Sequence, residues 1–147
     1  MGQIASVPID ILKTIEERLV IHEDNLEKDL IDTTYFETDF IKYLYEAADG
    51  LTAAEIKLKE VKRQRYLDYL TGNTGDPKID NRALKAGQVE MLLDGDSHVL
   101  TALRRVEEYQ NIVKFYENTL KSVKQKSMNI NTILKFRRFM NGENVAD

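Results

Sequence analysis

The chain contains no cysteine and no tryptophan. Without cysteine there is no disulfide framework, no thiol nucleophile and no zinc or iron–sulfur centre built on thiolates. Its two histidines, His22 and His98, are too far apart in sequence to suggest a multi-histidine metal site. Only 2 prolines and 7 glycines interrupt 147 residues, which favours helices over a turn-rich β fold. No apolar run approaches the 18 or so residues of a membrane span. Met1–Val7 lacks a positive charge ahead of a long apolar stretch, so a secretory signal is not expected and a reducing cytoplasm is.

What is abundant is charge, at 31% of residues with a net of -4. Its distribution is uneven. Residues 1–52 hold 4 basic and 12 acidic side chains, whereas residues 99–147 hold 9 and 5. Such asymmetry suits a polyanionic partner, or acidic and basic faces docking between copies. The length suits one domain with a core that needs no staples.

Helical spacing recurs along the chain. Pro8 opens a first segment with Ile9, Leu12, Ile15, Leu19 and Val20 in register. Asp32, Thr33 and Thr34 are candidate N-caps for a second helix of about Tyr35 to Leu70, with Glu37 in capping-box register to Thr34. Gly50 either ends that helix, with Thr52 capping the next and Glu55 closing a box, or is tolerated at about 1 kcal/mol. The continuous or merely kinked helix is the preferred reading. Thr71–Ile79 (TGNTGDPKI) is a loop. A short helix is expected over Asp80–Leu93, a break and cap over Asp94–Ser97, a helix over His98–Lys126 and a last one over Asn131–Met140, ended by Gly142. The expected fold is all-α, built of long antiparallel helices in a single helical domain.

Catalytic signatures are missing. No P-loop is present, and Gly72-Asn73-Thr74-Gly75 reads as a plain turn. Asp94, Asp96 and His98 sit where a helix starts, and carboxylates there cap free backbone N–H groups more often than they hold metal. No carboxylate pair stands out for acid–base work. The expectation is no enzyme, no metal and no cofactor.

The basic residues carry more. Lys57, Lys59, Lys62, Arg63 and Arg65 run into Tyr66, Leu67, Asp68 and Tyr69. At 100° per residue Lys62 shares a face with Tyr66, and Arg65 with Tyr69. Cations beside rings can neutralise phosphates while the rings stack on unpaired bases, which holds single strands without reading sequence. The same pattern also fits a solvated face with partly buried tyrosines. A second stretch has six cations and no acid between Glu117 and Glu143: Lys121, Lys124, Lys126, Lys135, Arg137 and Arg138. These either meet DNA or pair with the acidic first third.

Three blocks, in order, resemble the UvsY family of tailed-phage recombination mediators. They are VKRQRYLDYLTGNTGDPKID, VEMLLDGDSHVL and the ending VEEYQNIVKFYENTLKSVKQKSMNINTILKFRRFMNG. The resemblance covers residues 25–142 and leaves residues 1–24 as an N-terminal extension. It implies a non-enzymatic protein that binds single-stranded DNA and forms ring-like homo-oligomers, a hexamer or heptamer. It also implies contact with a single-strand-binding protein and a RecA-type recombinase, in the cytoplasm of an infected bacterial host. The family's DNA contacts fall on Lys62, Arg63 and Arg65, and Tyr69 is the ring beside them. Leu70 departs from the pattern, standing where a second adjacent tyrosine is common. The same resemblance makes 25–71 a basic-helix region and 80–142 an oligomerisation region.

A ring fits the residues. The expected helix from His98 to Lys126 has apolar side chains on more than one face, a surplus that neighbouring copies can bury. The candidate interface is Tyr109, Val113, Tyr116, Leu120, Val123, Ile133, Phe136 and Phe139. One copy's patch reaches about two or three phosphates, too few for tight binding at physiological salt, and repetition turns it into a track.

Overall fold

A computed structural model describes residues 5–75 and 84–142. Their regular structure is all helix, with no strand among them. Helix α1 spans Ile9–Arg18, α2 Leu26–Thr71, α3 Ala86–Asp94 and α4 Ser97–Met140, with a 3₁₀ turn at Glu23–Asn25 before α2.

Helix α2 starts well before the candidate caps. Asn25 accepts the Lys28 N–H at 3.2 Å and so caps it, while Glu27 and Asp29 place negative charge in the first turn, where the helix dipole favours it. Thr33 and Thr34 are mid-helix instead. Their hydroxyls donate back to the carbonyls of Asp29 (2.7 Å) and Leu30 (3.1 Å). Thr52 does the same to Ala48 rather than capping anything, because α2 passes through Gly50 without a break. At its far end Gly72 turns left-handed (φ 84°) and Asn73 N–H donates to Asp68 O, a Schellman ending. The rest of the expected loop, from residue 76, and the start of the expected third helix, through residue 83, lie outside the described residues.

Helix α4 is likewise one element, where two helices separated between Lys126 and Asn131 were expected. No glycine or proline falls in that stretch. The apolar stripe looks interrupted because a lysine occupies a core position, and the chain neutralises that lysine internally.

The helices form two compact units, Met1–Ser6 with Ala47–Asn111, and Val7–Glu46 with Ile112–Asp147. In the first unit α2 and α4 run antiparallel, Gly50 facing Tyr109 and Tyr69 reaching Asp96. A Cβ at Gly50 would overlap the Tyr109 ring, so this glycine permits a close helix approach. Ala47, Ala54, Val89, Val99, Ala102 and Val106 fill that core. Ahead of α1, the Ala5 N–H donates to Glu108 at 3.0 Å.

In the second unit the pairing is also antiparallel, Asp29 meeting Lys126 and Phe40 meeting Tyr116. Phe40 is the hub. Its ring lies edge-on to Phe36, Tyr43 and Tyr116 at centroid distances of 4.7, 5.3 and 5.7 Å, each contact adding about 0.5–1.5 kcal/mol beyond area burial. Ile15, Leu26, Leu120, Val123 and Ile130 complete this core.

Candidate nucleic-acid interface

The basic stretch of α2 belongs to the first unit, and the structure divides it. Lys59, Lys62 and Arg63 are exposed and Tyr66 is half-buried. Helical spacing puts these four within an arc of about 100°, with no acidic side chain inside it from Lys59 to Tyr66. Lys57, also exposed, stands off that arc.

Arg65 and Tyr69 are committed elsewhere. The Arg65 guanidinium pairs with Asp96 at 3.0 Å and Asp68 at 3.2 Å, lies 5.3 Å from the Tyr69 ring centre, and reaches Thr74 O at 3.5 Å. Tyr69 is only 5% exposed, and its hydroxyl donates to Asp96 at 2.7 Å. Asp96 thereby ties α2 to α4, since its other oxygen accepts the N–H groups of His98 (2.9 Å) and Val99 (3.2 Å) at the start of α4. Burial alone raises the Asp96 pKa, but the hydrogen bonds from Tyr69, Val99 and Arg65 outweigh it and hold the carboxyl below its ordinary value. Burial pushes the Tyr69 hydroxyl up, and its bond to Asp96 adds to that. The expectation that Arg65 and Tyr69 meet DNA is therefore corrected: a covered ring offers no face for a base, and a guanidinium spent on two carboxylates is not free for phosphate. Asp96 is a cap, and among the described residues no group of acids and histidines is arranged to hold a metal ion.

The second basic stretch divides the same way, within the second unit. Lys121, Lys124, Lys135 and Arg138 are exposed. Arg137, also exposed, donates to Glu23 O at 3.3 Å. Lys126 is buried and does not face a phosphate. Its ammonium donates to Asp29 at 2.9 Å and to Arg18 O, the free carbonyl at the end of α1. Burial raises the Asp29 pKa, but the His22 N–H and Lys126 more than offset it and bring it below the ordinary value.

The interface candidates also separate. Tyr116, Leu120 and Val123 are buried within their own unit, so they are not a surplus face. Tyr116 packs against Phe40 and Tyr43 of α2. Tyr109 is half-buried beside Gly50, with the Arg105 guanidinium 5.0 Å from its ring centre. Val113 and Ile133 are half-buried. Phe136 and Phe139, at 62% and 70% exposed, form with Met128 and Met140 an uncovered apolar surface on α4.

Sequence reasoning missed the internal pair Arg65–Asp96; of the two readings left open for the second stretch, Lys126 takes the pairing with the acidic first third, without the partner Asp29 having been identified. Each pair joins residues far apart in sequence, which periodicity cannot connect. The signal was partial: Lys126 and Arg65 fall on the stripes that their apolar neighbours mark as inward.

Comparison with known proteins gives the same direction. No curated protein sequence matches the chain. Crystal structures of the bacteriophage T4 recombination mediator protein UvsY share its fold. The lattice type II form matches with a TM-score of 0.76 at 17% identity, over 92% of this chain and 99% of that one. The type I form gives 0.75 at 16%, over 89% and 98%. The family model described as "Recombination, repair and ssDNA binding protein UvsY" matches residues 14–143, starting inside α1 and ahead of the stretch that carried the resemblance. With that match over most of its length, the chain belongs to the UvsY family.

Proposed function

We propose that this protein is a recombination mediator that binds single-stranded DNA and helps a RecA-type recombinase load onto strands covered by single-strand-binding protein. It acts by assembly, without catalysis, in the cytoplasm of an infected bacterium. The observation that carries the reading is the α2 face of Lys59, Lys62 and Arg63, three exposed cations with no ion pair among the described residues, in a chain of this family. Phosphates neutralised there release counterions, so binding weakens as salt rises.

Assembly supplies the strength that one patch lacks. The exposed Phe136, Phe139, Met128 and Met140 form the seam between copies, and a closed ring of about six or seven repeats the α2 face around its circumference. Residues 25–71 thus carry the strand and the region 80–142 the assembly, as one functional chain. The cations Lys121, Lys124, Lys135 and Arg138 extend the positive surface on α4.

Fluorescence anisotropy with a labelled oligonucleotide tests the reading. The triple variant Lys59→Ala, Lys62→Ala, Arg63→Ala loses binding at low salt while its mass in solution is unchanged. If the unaltered protein binds no oligonucleotide even at low salt, the mediator reading fails, and a scaffold whose cations serve only subunit contacts takes its place.

A further inference from the structure

We infer that Tyr66 is the ring on which an unpaired base stacks, and that it gives the α2 face its preference for single over double strands; this rests on reading that face as DNA-binding. The chain has seven tyrosines. Tyr69 and Tyr116 are buried, and Tyr43 is packed against Phe40 and Tyr116. Tyr109 is pressed against Gly50 with Arg105 beside it. Tyr35 and Tyr45 are exposed, but they stand in the acidic part of the chain, among Asp32, Glu37, Asp39 and Glu46, where phosphates are repelled.

Among the tyrosines, Tyr66 alone is both accessible and set among cations. It lies one turn beyond Lys62 on the face that also holds Lys59 and Arg63, and the residue is only partly buried. No hydrogen bond ties its hydroxyl to another described residue. Being half-buried, it has already lost much of its rotamer freedom, so ordering it against a base costs little further entropy. The cations hold the backbone, which any nucleic acid has, whereas a ring face can be used only by a base that is not paired and stacked in a duplex.

The test compares two strands of equal length, oligo-dT and the same backbone with abasic sites. Tyr66→Ala lowers affinity for oligo-dT by about 5- to 100-fold and leaves the abasic strand and a duplex nearly unchanged. The slope of affinity against salt stays the same, because no phosphate contact is lost. Tyr66→Phe, which keeps the ring, behaves as the unaltered protein. Equal losses on oligo-dT and the abasic strand, or no loss on either, overturn the inference while the DNA-binding reading stands. Failure of the unaltered protein to bind either strand overturns both.

Discussion

Arg65 and Lys126 carry the same charge as Lys62 and Lys121, yet each lies about 3 Å from a buried carboxylate, Asp96 at 3.0 Å and Asp29 at 2.9 Å. A buried ion is costly once its partner is removed, so Arg65→Ala and Lys126→Ala each lower stability by about 3–5 kcal/mol in urea unfolding. Lys62→Ala and Lys121→Ala, on open faces, change it by less than about 0.5 kcal/mol. The two carboxylates also set the acid limit of the fold. Both have folded pKa values below their unfolded ones, so below about pH 4 the unfolded chain binds protons that the folded chain does not. Their contribution is complete above that range and is lost as pH falls through the folded values. Asp29→Asn and Asp96→Asn therefore reduce stability at pH 7 and flatten its decline in acid, as melting temperatures across pH 2–7 will report. Composition alone makes all 21 basic residues look alike; only the partner across the helix pair separates the structural cations from the free ones.

At the scale of the element, what was legible was what is local. The all-helical class, the helix opened by Pro8, the caps around Asp96 and the end at Gly142 all follow from residue types at short spacing, and the structure has them. The early start of α2 was obscured because acidic residues dilute the apolar stripe between Glu23 and Asp32, although Asn25 was a usable cap signal. The continuity of α4 was obscured because Lys126 occupies a core position. Gly50 is a case in which propensity and packing oppose each other. Alanine is worth about 1 kcal/mol more than glycine in a helix interior, but a methyl group there meets the Tyr109 ring. Overpacking costs about 1–3 kcal/mol, so Gly50→Ala is net destabilising, and pairing it with Tyr109→Ala restores part of the loss in a double-mutant cycle.

For the whole molecule, the candidate site was legible as a stretch but not residue by residue. Lys62 and Arg63 lie on the open face of α2, whereas Arg65 and Tyr69 turn toward Asp96. Of the apolar side chains named for the interface, Phe136 and Phe139 are the exposed ones, whereas Tyr116, Leu120 and Val123 are buried. Substituting a charge for Leu120 therefore unfolds the chain, whereas Phe136→Glu with Phe139→Glu leaves a folded chain that no longer assembles. Circular dichroism and light scattering on the two variants separate these outcomes.

The claim on which the rest depends is that assembly, not the single patch, gives grip on the strand. It is tested by measuring affinity for oligo-dT against salt for the unaltered protein and for the Phe136→Glu, Phe139→Glu variant. A lone patch touching about three phosphates gives a slope near −2 on logarithmic axes, since each contact to a single strand contributes about −0.7. The account predicts a slope several times steeper for the unaltered protein, and weak binding with the shallow slope for the variant. Equal affinity and equal slope in a variant that scatters as a monomer would contradict it.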